Sequence, residues 1–167
     1  KMLMKPADAP ASKGAVEAIL KSDVLIFGPG SLYTSVVPNL LVEEIREAIL
    51  QSDAVKIYVC NVMTQPGETD GYGAFEHVRA LVDHMGKQFL DYVIVNDQKI
   101  TTEQLKQYYA EGSMPVTPDV EKIRKLGITV VPASLISKDD LVRHDPRKLA
   151  RALIMLIYRL RLFGKGV

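Results

Sequence analysis

Short apolar runs alternate along the chain with longer stretches in which apolar residues recur every three or four positions. The short runs are rich in Val and Ile and close with turn residues, which predicts strands buried on both faces. They cover 24–27, 56–62, 92–96 and 128–131. The longer stretches predict helices at 12–20, 40–50, 74–85, 102–109 and 119–126, and a last helix from Pro146 with Asp145 as N-cap. Strand–helix alternation of this kind predicts an α/β fold, with a mostly parallel sheet and helices on both faces.

Composition and charge narrow the class of protein. The 167 residues are 47% hydrophobic, which suits a single α/β domain over 1–167, with a candidate subdomain joint at 112–116. A net charge of +1 argues against a nucleic-acid partner. The lone cysteine, Cys60, excludes an internal disulfide and indicates a reducing compartment. The longest apolar run, 152–158, is far below the roughly 20 residues that span a bilayer. We therefore expect a cytoplasmic protein without a membrane partner.

A glycine-rich loop, 28–35, directly follows the first predicted strand. Ligands of parallel sheets bind beyond the carboxyl ends of the strands, so this loop is a candidate site. Gly28 and Gly30 let backbone amides approach a ligand closely, and the hydroxyls of Ser31 and Thr34 add donors. The start of the following helix adds positive potential. The loop therefore suits a phosphate or diphosphate, and a plain tight turn with a serine cap is the alternative.

A second polar loop, 61–72, follows the second predicted strand. Its carboxylates, Glu68 and Asp70, suit hydrogen bonds from sugar hydroxyls or a Mg²⁺ ion. The alternative for Asp70 is the N-cap of the helix that carries His77. No pair of His or Cys residues has zinc-site spacing, so we predict no metal site of that kind.

Four further residues have chemistry that bears on function. Arg143 suits bidentate binding of an anion, or a surface salt bridge with Asp139 or Asp140. Of the adjacent Tyr108 and Tyr109, we expect one to pack in the core and the other to stack on a base or bond a sugar. Cys60 lies inside an apolar strand, which predicts a buried and unreactive thiol.

Two long motifs, 28–41 and 59–72, resemble those of the YvcK type of the CofD-like family, the gluconeogenesis factors also called GlmR. The element 141–145 is similar to that family as well. The family has a Rossmann-like α/β fold that opens with a glycine-rich nucleotide motif, which this sequence lacks. The resemblance therefore implies the C-terminal part of a longer CofD-like polypeptide.

The resemblance implies a cytoplasmic bacterial regulator that binds a UDP-sugar, notably UDP-N-acetylglucosamine, and links carbon metabolism to cell-wall precursor synthesis and cell shape. A Mg²⁺-dependent transferase of phospholactyl-type groups is the alternative, and a pure interaction module is the third hypothesis. NAD(P) and Mg²⁺ are candidate cofactors, a cell-wall precursor enzyme is a candidate partner, and a homo-oligomer stays open. No residue is assigned to catalysis. The residues assigned to ligand binding are Gly28, Gly30, Ser31, Thr34, Asn39, Asn61, Thr64, Glu68, Asp70, Tyr109 and Arg143.

Overall fold

The computed structural model describes residues 2–6, 8–137 and 142–163. Its centre is a parallel sheet of four strands in the order β1-β2-β3-β4. The strands are β1 (Val24–Phe27), β2 (Val55–Val59), β3 (Tyr92–Asn96) and β4 (Thr129–Ala133). The predicted α/β fold is confirmed, and the carboxyl ends of all four strands lie at one edge of the sheet.

Helices connect the strands and close the chain. They are α1 (Ala15–Lys21), α2 (Val37–Leu40), α3 (Glu43–Gln51), α4 (Ala74–Met85), α5 (Thr102–Ala110), α6 (Val120–Arg124) and α7 (Pro146–Phe163), with a π-helical turn, Leu32–Val36, before α2. The predicted cap of α7 is confirmed, because Asp145 Oδ1 accepts the backbone N–H groups of Arg147 at 2.8 Å and Lys148 at 3.1 Å. Within the described residues, no helix has the length and apolar character that crossing a bilayer requires.

The two faces of the sheet are covered unequally. Helices α1, α2, α3, α4 and α6 pack on one face, where the core includes Tyr58, Leu81 and Val93. On the other face, α7 packs through Leu149 and Leu156. The prediction of helices on both faces is confirmed, but a single helix about 10 Å wide covers only about two strands spaced about 4.8 Å apart.

Burial on both faces is correct for the central strands and wrong for the outer ones. Every residue of β2 is buried. In the outer strand β1, Ile26 is 46% exposed, although it lies on the same face of the sheet as α7. The second strand also ends earlier than predicted, at Val59, because residues 62–64 leave the sheet to pair with 114–116. The candidate joint at 112–116 is thereby hydrogen-bonded to the second loop, through Thr64 N to Met114 O at 2.7 Å and Val116 N to Val62 O at 3.0 Å.

Candidate functional site at the carboxyl edge of the sheet

The loop after β1 turns sharply at Gly28, close to the neighbouring strand. Gly28 has a φ of +79°, and a Cβ atom added there would lie 3.0 Å from Val59 O. Beyond the turn, Ser31 O accepts the N–H groups of Ser35 at 2.9 Å and Val36 at 3.2 Å and so begins the π-helical turn. Gly28 therefore serves the close approach of this loop to β2.

The hydroxyl of Ser31 joins the two candidate loops. Ser31 Oγ donates to Glu68 Oε2 at 2.6 Å and accepts from Thr34 Oγ1 at 2.6 Å. The Ser31 side chain makes no capping hydrogen bond, so the alternative of a simple serine cap is wrong. The predicted phosphate loop and the predicted hydroxyl-binding loop thus lie in direct contact at one edge of the sheet.

Hydrogen bonds inside the second loop position Glu68. Thr69 is fully buried and its Oγ1 accepts Gln65 N at 2.9 Å, while Gln65 O accepts the N–H groups of Glu68 at 3.0 Å and Thr69 at 2.9 Å. Asp70 Oδ2 accepts Gly67 N at 2.7 Å and stays within the loop. This compact turn holds Glu68 toward Ser31.

The N-terminus of α4 lies three residues beyond Asp70. Gly73 is the N-cap, and its N–H donates to Glu76 Oε2 at 2.8 Å. The N-cap alternative for Asp70 is therefore wrong. A Cβ on Gly73 would lie 1.9 Å from Asp119 Oδ2, so the absence of a side chain makes room for the Asp119 carboxylate beside this helix end.

A tyrosine pair forms a second bridge between the loops that the sequence did not reveal. The hydroxyls of Tyr33 and Tyr72 lie 3.0 Å apart. Burial and the hydrogen bond with Tyr72 raise the pKa of Tyr33 to about 12. The pair borders a cavity of about 800 Å³ between α4 and the segment 2–4, and neither Ser31 nor Glu68 lines that cavity. In the sequence, this contact is indicated only by the presence of one tyrosine in each loop.

Two of the predicted residues form hydrogen bonds with partners other than Ser31 and Glu68. Thr64 is buried, with Oγ1 accepting Met114 N at 2.9 Å and its carbonyl accepting Ser113 Oγ. Asn39 Nδ2 donates to Ser35 O at 2.8 Å, and Asn39 lines a groove of about 440 Å³ beside β1. Thr64 therefore anchors the second loop, and Asn39 lies on the β1 side of α2. Asn61, half-buried, lies two residues after the end of β2.

The segment that carries Arg143 lies at the end of β2. His144 Nε2 donates to Cys60 O at 3.1 Å, and Val142 N donates to Tyr108 Oη at 2.8 Å. Tyr108 packs against a small apolar cluster, which confirms that one tyrosine of the pair packs in the interior. Tyr109 is 47% exposed. Arg143 is exposed. Within the described residues, no hydrogen bond joins Arg143 or Tyr109 to Ser31 or Glu68.

The alternative salt bridge of Arg143 involves Asp139 or Asp140, which lie outside the described residues. Across the described part of the chain, no group of three or more His, Cys, Asp or Glu side chains could hold a metal ion. Glu68 and Asp70 already accept protein hydrogen bonds. A Mg²⁺ ion at this edge would therefore take only one or two carboxylates and would need ligand phosphates for the remainder of its shell.

Buried histidine predicts a pH-dependent stability. Burial lowers the pKa of His77, whose Nδ1 donates to Gly73 O at 2.8 Å and whose buried Nε2 has no hydrogen-bond partner within the described residues. In the unfolded chain the pKa of a histidine is about 6.5, so below that pH the unfolded chain binds a proton at His77 that the folded chain binds less readily. We expect the free energy of unfolding to fall from pH 7.5 to pH 5.5 in urea titrations.

The His77→Asn variant tests the origin of this slope. The asparagine amide can replace the Nδ1 donor but does not titrate, so the pH dependence should become shallower. Burial also lowers the pKa of His144, which leaves a residual slope of the same sign. An unchanged slope in His77→Asn would contradict the assignment.

The fold and the joined loops together define a Rossmann-like α/β protein in which two polar loops are hydrogen-bonded to each other at the carboxyl edge of the sheet. Comparison with known protein families gives a match over most of the chain. Residues 1–136 match the family model described as 2-phospho-L-lactate transferase CofD. The chain therefore belongs to the CofD family.

Individual relatives place the chain near the gluconeogenesis factors, which confirms the predicted resemblance. It is 40% identical to the gluconeogenesis factor of Bacillus subtilis, covering 94% of this chain and 50% of that protein. It is 43% identical to the one from Halalkalibacterium halodurans, covering 92% and 48%. A crystal structure of a Bacillus halodurans protein matches with a TM-score of 0.87 at 43% identity, covering 91% and 49%. The chain thus spans about half the length of these relatives.

Proposed function

We propose that the chain carries part of the ligand site of a regulatory protein that binds a nucleotide sugar, UDP-N-acetylglucosamine. The observation that supports this most is the hydrogen bond between Ser31 Oγ and Glu68 Oε2 at 2.6 Å. It places a loop rich in backbone amides and hydroxyls against a loop that presents a carboxylate. A diphosphate and a sugar need these two kinds of surface side by side.

Charge sets the orientation of the proposed ligand. The carboxylate of Glu68 repels a phosphate but accepts hydrogen bonds from sugar or ribose hydroxyls. The hydroxyl groups of the ligand therefore lie at Glu68. The diphosphate lies on the amides that follow Gly30 and is paired by Arg143, whose guanidinium matches phosphate geometry.

The regulatory part of the proposal draws on the relatives. The matched proteins of Bacillus subtilis and Halalkalibacterium halodurans are named gluconeogenesis factors. We infer that this chain serves in the cytoplasm to couple carbon metabolism to the synthesis of cell-wall precursors and to cell shape. Its protein partner in that role would be a cell-wall precursor enzyme.

Titration calorimetry of the full-length protein with UDP-N-acetylglucosamine tests the ligand assignment. We expect Arg143→Ala to raise Kd by about 10- to 100-fold, because a hydrogen bond to a charged group contributes about 1.5–3 kcal/mol. Ser31→Ala should raise Kd by a smaller factor, because it removes the donor that positions Glu68.

Matched variants separate the site from general damage. Ser35→Ala changes an exposed serine of the same π-helical turn, and Arg124→Ala removes an arginine that pairs with Glu121 on α6 at 2.8 Å. Both should bind as the parent does. Unchanged affinity in Ser31→Ala and Arg143→Ala would reject the residue assignments. Absence of saturable binding in the parent would instead favour a pure interaction module.

The transferase alternative is favoured by one observation, the description of the matching family model as a phospholactate transferase. Glu68 and Asp70 would then share a Mg²⁺ ion with the diphosphate of a donor, and the metal would stabilise charge on the leaving group. Incubation of the full-length protein with activated phospho-donors and hydroxyl acceptors distinguishes the two functions. Mg²⁺-dependent product formation would replace the regulator proposal, whereas ligand binding without turnover would support it.

A further inference from the structure

The C-terminal helix α7 has a second apolar surface that faces away from the sheet. Leu149 and Leu156 pack inward, as does the partly buried Leu153. On the opposite side of the helix lie four large exposed apolar side chains. They are Ile154 (65% exposed), Met155 (49%), Tyr158 (58%) and Leu162 (56%). We call this surface the outer face of α7.

The outer face is a continuous stripe. Ile154, Tyr158 and Leu162 are spaced four residues apart and therefore stack along one side of the helix. The 18 residues of α7 extend about 27 Å, long enough for another helix to lie alongside. Scattered exposed apolar residues need no explanation, but contiguous ones indicate contact with another molecule or with a further part of the same polypeptide.

The charges on α7 are all of one sign. The helix holds five of the 21 basic residues of the chain and none of its 20 acidic residues. At 100° per residue, Arg147 and Arg151 continue the line of the stripe toward the N-terminus of the helix, and Arg159 and Arg161 lie beside it. All four arginines are exposed, and none forms an ion pair within the described residues. Tyr, Met and Arg are the residue types enriched at protein interfaces.

We propose that the outer face of α7 docks an acidic amphipathic helix of a partner protein. The apolar side of that helix covers Ile154, Tyr158 and Leu162, and its flanking carboxylates pair with the arginines. A second copy of α7 is disfavoured because it would bring arginine against arginine. A bilayer is disfavoured because Arg151 continues the line of the apolar stripe, so that insertion of this side of the helix would bury its charge without a partner. The inference does not depend on which ligand binds at Ser31 and Glu68.

Two designed peptides test the proposal against the full-length protein. The first is an 18-residue helix with leucines at helical spacing and flanking glutamates, and the second has lysine in place of every glutamate. We expect saturable binding of the glutamate peptide in fluorescence anisotropy and no binding of the lysine peptide. Tyr158→Ala and Arg151→Glu should each weaken the glutamate peptide at least tenfold, because tyrosine and arginine commonly dominate interfaces.

Matched controls lie on other helices. Leu20→Ala removes a 46% exposed leucine of α1, and Arg79→Glu reverses an exposed charge of α4. Both should bind the glutamate peptide as the parent does, and circular dichroism should show that every variant is folded. Equal binding of both peptides, no binding of either, or unchanged binding in the α7 variants would overturn the proposal.

Two further measurements test whether a second copy of the protein or a membrane binds the outer face of α7 instead. Sedimentation of the parent and Tyr158→Ala reports self-association through α7, and flotation with phosphatidylglycerol vesicles reports membrane binding. A dimer that Tyr158→Ala dissociates, or vesicle binding that Arg151→Glu abolishes, would replace the partner helix with a second copy or a membrane. The proposal is supported if the protein is a monomer, does not bind the vesicles and binds the glutamate peptide.

Discussion

Replacing Gly28 by alanine is expected to lower the free energy of unfolding by roughly 2–5 kcal/mol. A left-handed backbone costs an L-residue about 1–2 kcal/mol. The new Cβ would also lie 3.0 Å from Val59 O, and this neighbour is backbone in the central sheet, which cannot move aside as a side chain can. Overpacking of this kind costs about 1–3 kcal/mol more. Urea unfolding monitored by circular dichroism measures the sum.

Gly67 supplies the matched control for this prediction. Its φ of +80° is nearly that of Gly28 at +79°, but a Cβ at Gly67 would meet nothing within 4 Å. Gly67→Ala should therefore show the conformational cost alone. The difference in free energy of unfolding between the two variants measures the cost of crowding between the first loop and β2. Equal losses of stability would show that this close approach does not contribute to the cost.

The thiol of Cys60 is expected to react about a thousandfold more slowly in the folded protein than in the unfolded chain. Burial raises its pKa from 9.0 to about 12, and the residue is 1% exposed. At pH 8 this shift lowers the thiolate fraction about a thousandfold, and the thiolate is the reactive form. Because Cys60 is the only cysteine, alkylation by iodoacetamide followed by mass spectrometry reports its rate directly.

An exposed thiol gives the reference for that rate. Ser35→Cys in a Cys60→Ser background places a thiol on an exposed position of the π-helical turn. It should react in the folded protein nearly as fast as in urea. Comparable rates for native and unfolded Cys60 would contradict the buried, inert state that the apolar strand predicted.

Some elements follow from local sequence because their causes lie within a few residues. The helix α4 has the predicted bounds, and Asp145 caps α7 as predicted, since apolar spacing and N-cap chemistry are short-range signals. Local sequence was less reliable at helix starts that depend on the loop before them. The sequence predicts a helix capped by Ser12 that runs through Leu20, but the N-cap of α1 is Gly14 and its first residue is Ala15. Asp70 bonds Gly67 N instead of capping α4.

By itself the sequence determined the alternation of strands and helices, and it located the two polar loops that follow β1 and β2. Only the tertiary structure decided that Ser31 donates to Glu68, which is 37 residues away, and that Tyr33 meets Tyr72. A serine hydroxyl has local partners of similar strength, such as the helix start that it precedes. Pairing of β1 with β2 selects the distant partner, because it holds the two loop backbones side by side while each loop fixes the direction of its own side chains.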